Sequence, residues 1–202
     1  LCAEERTAIE KMGSEGKSIR EMARELGRGP STVSREVRRV PISARPPGAD
    51  DRTEFGHWEG DSIVGATKAA AIRTEVERKT RHLKARLVPG ATSQGALDAQ
   101  LAMFRRLPKA ARKSTTCDNG SEHAKWAEPR KRLGTMTYFA APYHSWERGA
   151  NERANGLIRR HWPKRTNFEH VTSQDLQDRV GQINNRPMAI LGHLTPAEAL
   201  AD

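Results

Sequence analysis

The run HWEGDSIV at residues 57–64 has the composition of a β-strand, and it carries a single aspartate, Asp61. Two further strand-like runs follow, at about residues 71–77 and 83–88. Beyond them the pattern predicts a helix at 93–107, a strand at 114–118, a helix at 122–133, a strand at 135–140 and two or three more helices. Because strands are followed by alternating helices and strands, the sequence predicts an α/β layer fold with a mixed sheet.

Three acidic residues fall where α/β sheets usually build a site, at strand ends and a helix start. Asp61 lies on the first strand, and Asp118 ends the short strand before the turn signal Asn119-Gly120. Glu152 lies near the start of a helix predicted over about residues 150–162. Taken singly, each has an ordinary interpretation: a strand-end charge, an Asx turn and an exposed helical glutamate.

Together the three carboxylates would suit hard divalent cations such as Mg²⁺ or Mn²⁺, which prefer oxygen ligands. Two such ions, ~3.5–4 Å apart, could activate an attacking oxygen and stabilise a leaving oxygen in phosphodiester chemistry. Three negative charges would not cancel two divalent ions, so the site would still attract an anionic backbone.

Upstream of the first strand, apolar residues recur at helical spacing over residues 4–39. Two short helices around a tight turn predict a helix-turn-helix, whose second helix, at residues 31–39, would enter a DNA groove. We expect Val33 and Val37 to face inward. The polar and basic side chains expected to face DNA are Thr32, Ser34, Arg35, Arg38 and Arg39. The alternative is a solvated basic face on a small helical hairpin.

Proline and glycine accumulate between the helices and the first strand, which is the composition of a semi-rigid linker. The sequence therefore predicts three segments: a helix-turn-helix segment at 1–39, a Pro-rich linker at 40–54, and an α/β core at 55–202.

The charge balance points to a polyanionic partner, with nucleic acid as the first candidate. Thirty-five Lys and Arg residues against 25 Asp and Glu residues leave a net charge of +10. Apolar runs fall far short of the ~20 residues of a membrane span, and Cys2 and Cys117 cannot form a disulfide framework. We expect a cytoplasmic protein without a membrane partner.

Several separate motifs, in one order, resemble bacterial insertion-sequence transposases of the family numbered thirty. They are residues 56–61, 76–81, 118–122, 151–152, 155–159, 138–139, 142–143, 146–149, 163–164, 185–187 and 195–198, with 16–19, 27–28 and 31–36 in the N-terminal segment. The resemblance covers nearly all of residues 55–200. It implies an RNase H-like core of the retroviral-integrase type, in which a mixed sheet is flanked by helices.

The resemblance also implies a chemistry. Asp61, Asp118 and Glu152 would be the acidic triad that binds two Mg²⁺ or Mn²⁺ ions. Water would first hydrolyse the transposon ends, and the freed 3′-hydroxyl would then attack another phosphodiester. The implied partners are double-stranded DNA and further copies of the chain assembled on it. Glu59, on the same strand face as Asp61, and Glu122, beyond the Asp118 turn, remain rival carboxylates.

Basic and polar residues around the predicted catalytic helix would hold the DNA backbone, although charge runs are often only solvated surface. Those assigned to DNA binding are Arg148, Asn155, Arg159, Arg160 and Lys164. Trp146, just before this helix, could stack on an unpaired base or anchor a loop.

The chain departs from the family after Arg39, where a further region about the size of a small domain is missing. The resemblance therefore implies an internally shortened transposase, and a DNA-binding remnant without catalysis is the main alternative. A third possibility, a repressor with a small-molecule domain, fits the basic core and its strand-end carboxylates poorly.

Overall fold

The N-terminal segment folds into three helices, α1 (Ala3–Ser14), α2 (Ile19–Glu25) and α3 (Pro30–Val37). The structure is a computed structural model that describes residues 1–141 and 145–201. The helices enclose a small apolar cluster that includes the buried side chains of Ile9, Met22 and Val33. Pro30 lies in the first turn of α3, where its missing N–H leaves no hydrogen bond unmade.

One expectation for α3 is wrong. Val37 was expected to face inward, but its side chain is 46% exposed. The helix ends at Val37, and Arg38 already caps it. Val33 alone closes the cluster from this helix, so Val37 has no apolar surface left to cover.

The rest of the chain is built on a six-stranded mixed sheet. Its strands are β1 (Val40–Pro41), β2 (His57–Val64), β3 (Ala70–Glu77), β4 (Leu83–Pro89), β5 (Ser114–Cys117) and β6 (Met136–Phe139). The order across the sheet is β1-β6-β5-β2-β3-β4. The β2–β3 and β3–β4 pairs are antiparallel, and β2–β5, β5–β6 and β1–β6 are parallel. Glu59 of β2 pairs with Thr116 of β5, and this register places Asp61 level with Asp118, which directly follows β5.

Helices cover both faces of this sheet. They are α4 (Pro47–Asp50), α5 (Ser93–Phe104), α6 (Glu128–Leu133), α7 (Gly149–His161), α8 (Ser173–Asn184) and α9 (Pro196–Ala201). Ile72 packs in the cluster with α7 and α8, whereas its neighbour Ala71 packs with Ala99 of α5. Successive strand residues point to opposite faces, so these two clusters lie on opposite sides of the sheet.

The segment predicted to be a linker is packed against the sheet instead. Val40 and Pro41 pair with Tyr138 and Phe139 of β6. Arg45 is buried, donates to Thr116 Oγ1 at 2.9 Å, and forms an ion pair with Asp50. Strand β1 hydrogen-bonds to backbone groups at the edge of β6. This pairing holds the segment on the sheet even though it is rich in proline.

The helix predicted over 122–133 is also interrupted. A 3₁₀ turn occupies Ser121–His123, and α6 begins only at Glu128, with Pro129 in its first turn. Proline at position 129 would break a continuous helix because it has no N–H to donate. None of the helices in the described part of the chain is long and apolar enough to span a bilayer.

Candidate active site

One guanidinium joins two of the three predicted carboxylates. Arg148 Nη1 lies 3.6 Å from Asp61 Oδ2, and Arg148 Nη2 lies 3.2 Å from Asp118 Oδ2. The Arg148 side chain is 9% exposed. The strand end of β5 and the middle of β2 therefore place two carboxylates around one cation. Arg148 was expected to face DNA, and in the structure its guanidinium points into this acidic pair.

Asp61 is fixed by hydrogen bonds from both sides. Its Oδ1 accepts from the Ser62 backbone N–H at 2.8 Å, and its Oδ2 accepts from Asn155 Nδ2 at 3.0 Å. Thr74 Oγ1 in turn donates to Asn155 Oδ1 at 2.9 Å, which fixes the orientation of the amide. The strand alternation explains the direction of Asp61, because residues 59, 61 and 63 of β2 all face α7. Asn155 was expected to contact DNA, but it is a partner of Asp61.

Asp118 is held in its charged form. Its Oδ1 accepts from the Gly120 N–H at 2.8 Å and lies 3.3 Å from His123 Nε2. Burial alone would raise the pKa of the Asp118 carboxyl, but His123, Arg148 and the Gly120 amide outweigh it and hold that pKa well below its usual range. The carboxylate is therefore ionised throughout the neutral range.

His123 lacks the spacing of a zinc set and was expected from the sequence only to hydrogen-bond near the site; it is buried beside Asp118. Burial lowers its pKa, whereas the neighbouring Cys117 sulfur and the contact with Asp118 raise it, and the net effect is a pKa of about 9.

Glu152 lies on the face of α7 that runs along β2. On this face, Arg148 and Asn155 contact Asp61, and Arg159 Nη2 donates to the Val64 carbonyl at 2.8 Å. Positions 148, 152, 155 and 159 follow the 3.6-residue repeat, so Glu152 sits between the two residues that contact Asp61. Its side chain is exposed. Helix periodicity therefore puts Glu152 on the same face as the two residues that contact Asp61, and its role as the third carboxylate stays a prediction.

The rival carboxylate Glu59 has a different role. Its side chain is fully buried, forms an ion pair with Arg78, and accepts from the Asn151 N–H at 2.8 Å. Asn151 Nδ2 donates back to the Glu59 carbonyl at 2.7 Å. Glu59 thus satisfies an amide in the first turn of α7 and fixes the helix on β2. With its oxygens used this way, Glu59 supports the site and does not face its opening.

The second rival, Glu122, lies closer to the acidic pair. Asp118, Glu122 and His123 each bring one potential ligand atom within 4.8 Å of the others. Among the described residues, they are the group of acidic and histidine side chains close enough to hold a metal ion together. Glu122 therefore remains an alternative to Glu152 as the third ligand.

The residues predicted to bind DNA divide into two groups. Arg35, Arg38, Arg160 and Lys164 are exposed, and Thr32 and Ser34 are half-buried. Arg39 does not fit the prediction, because only 10% of its side chain is exposed. Its Nη1 donates to Asn119 Oδ1 at 2.9 Å, and its guanidinium lies 4.5 Å from the centre of the Phe139 ring.

Two further assignments have separate outcomes. Arg159 is half-buried against β2 and also lies 5.6 Å from the centre of the Phe168 ring, so its guanidinium serves mainly to attach α7. The side chain of Trp146 lies outside the described residues, so its expected stacking role stays a prediction.

Comparisons with known proteins find relatives of both the N-terminal helices and the sheet. A family model described as "Helix-turn-helix domain" matches residues 1–40. The transposase InsI of insertion sequence element IS30C from Escherichia coli (strain K12) is 37% identical over 183 residues, which are 91% of this chain and 48% of that protein. The transposase of insertion sequence element IS4351 from Bacteroides fragilis is 40% identical over 161 residues, or 79% of this chain and 49% of that protein.

A transposase of element IS1086 from Cupriavidus metallidurans is 36% identical over 162 residues. The chain spans about half the length of the curated relatives it matches. Among solved structures, the catalytic core domain of BIV integrase matches with a TM-score of 0.55 and 19% identity, over 71% of this chain and 91% of that one. This likeness confirms the predicted fold class, a mixed α/β sheet with flanking helices.

Proposed function

The chain belongs to the family of insertion-sequence transposases that includes those of the IS30 elements, and on this premise we propose that it cuts and joins DNA strands. The reaction is metal-dependent hydrolysis at transposon ends followed by strand transfer to another DNA, and Asp61, Asp118 and Glu152 are its acidic residues. The observation that carries this proposal is the convergence of Asp61 and Asp118 on Arg148 from separate strands.

The donor set fits Mg²⁺ or Mn²⁺. All three side chains offer carboxylate oxygens, which these ions prefer. Asp61 and Asp118 already share one cationic group, and Glu152 is exposed on the face of α7 that carries Asn155. When bound, two ions would make an attacking oxygen more nucleophilic and stabilise the charge on the leaving oxygen.

The surrounding residues prepare this site. Asn155, fixed by Thr74, orients Asp61, and the Gly120 amide and His123 keep Asp118 ionised. Arg148 offsets the repulsion between the two aspartates.

We propose double-stranded DNA as the substrate and homo-oligomers on that DNA as the active form. The exposed Arg35 and Arg38 of the helix-turn-helix would contact the DNA groove or its phosphates, together with Thr32 and Ser34. Arg160 and Lys164, exposed at the end of α7, would hold backbone near the acidic site.

The test is nicking of supercoiled plasmid by the wild type with Mg²⁺, with Mn²⁺ and with EDTA. Asp61→Asn and Asp118→Asn should each reduce nicking at least about 100-fold while leaving DNA affinity nearly unchanged, because each removes one ligand charge away from the basic surface. Asp98→Asn, on the exposed face of α5, makes the same charge change and should nick normally.

Two results would count against the proposal. Undiminished nicking by Asp118→Asn would show that this carboxylate is not needed for the reaction. DNA binding by the wild type without nicking in either metal would instead identify a DNA-binding remnant.

A further inference from the structure

A cavity lies on the far side of α7 from Asp61, between this helix and the segment after α8. It holds about 250 Å³. It shares Arg153, Leu157 and Met188 with a neighbouring space of about 490 Å³, so the two form one groove. Together they fall within the roughly 300–1,000 Å³ typical of small-ligand sites.

The floor of the groove is apolar. Leu157 and Met188 line both spaces, and Ile190 lines the smaller one. Ile190 is 66% exposed, the highest value among the large exposed hydrophobic side chains in the described part of the chain. Apolar surface of this kind favours a flat or hydrophobic ligand group.

Three arginines, Arg52, Arg81 and Arg153, line the same cavity. Within the described ranges, none of them forms an ion pair with a carboxylate. Arg81 Nε is buried without a hydrogen-bond partner. Burial, then the nearby Arg52 and Arg153 guanidinium groups, lower the pKa of Arg81 despite the opposing effect of Glu59 and Glu77. Three guanidinium groups without a paired carboxylate at one cavity favour an anion, and a phosphate is the group that guanidinium forks match best.

Arg153 connects the groove to the face of α7 that carries Glu152. Arg153 directly follows Glu152, and one residue along a helix turns the side chain by about 100°. A DNA strand that contacts Glu152 could therefore also contact Arg153 at the mouth of the groove, because both residues lie on α7.

We propose that this groove receives a single nucleotide extruded from the DNA that is bound at the acidic site. Its phosphate binds Arg81 and Arg153, and its base lies on Leu157, Met188 and Ile190. The inference rests on the proposed function, because it takes DNA as the molecule bound beside Glu152. A combined anionic and flat apolar ligand is what a flipped nucleotide offers, and enzymes that act on DNA use such pockets.

The probe is a fluorescein-labelled DNA duplex with one unpaired adenine bulge, compared with the same duplex without the bulge. Binding is measured by anisotropy in EDTA, so that no cleavage is needed. The wild type should bind the bulged duplex about tenfold more tightly, as expected for one base taken into an apolar site.

Two variants with matched controls locate the effect. Ile190→Glu places a negative charge on the groove floor and should reduce the preference for the bulge to less than about twofold. Leu194→Glu, at a neighbouring apolar side chain that is 42% exposed and does not line the cavity, should retain it. Arg153→Gln should weaken binding of the bulged duplex more than that of the paired duplex, whereas Arg106→Gln, exposed at the end of α5, should weaken both equally.

Each other outcome overturns the inference. Equal affinity of the wild type for both duplexes would show that the groove does not bind an extruded nucleotide, while the proposal of DNA binding would stand. A bulge preference that survives Ile190→Glu and Arg153→Gln places the nucleotide elsewhere. A loss of self-association in Ile190→Glu, with the bulge preference unchanged, identifies the groove as a contact between copies. Binding of neither duplex overturns the proposed function as well.

Discussion

Arg148 determines the charge balance of the acidic site. Its two terminal nitrogens face Asp61 and Asp118, and the guanidinium is largely buried. Two carboxylates that share a site raise each other's pKa unless a cation lies between them. The arginine therefore does at this site what a bound metal would also do, namely offset two negative charges.

This role gives a prediction for Arg148→Gln. Removing the cation leaves two repelling, partly exposed carboxylates, which should lower the free energy of unfolding by about 1–3 kcal/mol. Because Mn²⁺ restores positive charge, it should raise the Tm of this variant more than that of the wild type. The measurement is thermal unfolding with and without Mn²⁺.

The matched control is Arg159→Gln, whose guanidinium contacts the Val64 carbonyl and not the aspartates. It should lose stability without any extra gain from Mn²⁺. Equal Mn²⁺ effects on the wild type and both variants would show that Arg148 does not occupy the metal-binding position.

At the scale of elements, α7 is placed by contacts that are distributed along its length. Glu59 accepts from the Asn151 amide, Asn155 donates to Asp61, and Arg159 donates to Val64. All three contacts go to β2, so one strand and one helix together carry Asp61 and Glu152. Arg78 neutralises Glu59 and allows a carboxylate to remain in this buried position.

The turn between β3 and β4 contains a histidine that makes stability depend on pH. Burial, and to a smaller extent Lys84, lower the pKa of His82 to about 4, with Pro196 of α9 opposing the shift. The unfolded chain therefore binds a proton below pH ~6.5 that the folded chain binds only near pH 4. Stability from this residue is complete above pH ~6.5 and is lost as the pH falls to about 4.

We therefore expect the wild type to lose about 1–3 kcal/mol more stability than His82→Asn between pH 7 and pH 4.5. Urea unfolding at the two pH values gives both numbers. His170→Asn, at an exposed histidine, should behave like the wild type. If His82→Asn loses as much stability as the wild type, His82 is not the group that titrates.

The sequence predicts the elements better than their contacts. Strands β2 to β4 lie within about one residue of their predicted bounds, because their apolar and β-branched runs are local signals. The Glu59–Arg78 pair and the Arg148 bridge join residues far apart in the chain, and local patterns carry no information on such partners. The predicted linker differs from the structure for the same reason. Val40 and Pro41 form a strand only because they pair with β6, which is distant in sequence.

At the scale of the whole molecule, the helix-turn-helix is attached to the acidic site. Arg39, just beyond α3, donates to Asn119, the neighbour of Asp118 in sequence, and lies over Phe139. Burial lowers the pKa of Arg39. The first strand of the sheet follows immediately, so the helix-turn-helix has a defined orientation on the core.

Arg39→Ala should loosen this attachment without unfolding either part. Loss of the cation–π contact and the hydrogen bond, each about 1 kcal/mol, should speed amide exchange in residues 40–50 about tenfold. Hydrogen exchange with mass spectrometry makes the comparison, and Arg38→Ala, at an exposed position, is the control. Identical exchange in both variants would mean that the strand pairing alone holds the segment.

The central claim is that Asp61, Asp118 and Glu152 together form the metal-dependent site, and the sharpest alternative replaces Glu152 with Glu122. Both glutamates are changed in the same way, as Glu152→Gln and Glu122→Gln, and plasmid nicking with Mn²⁺ is measured at equal DNA occupancy. We predict that Glu152→Gln loses at least about 100-fold in nicking rate and that Glu122→Gln stays close to the wild type. Normal nicking by Glu152→Gln, with loss in Glu122→Gln, would contradict the claim.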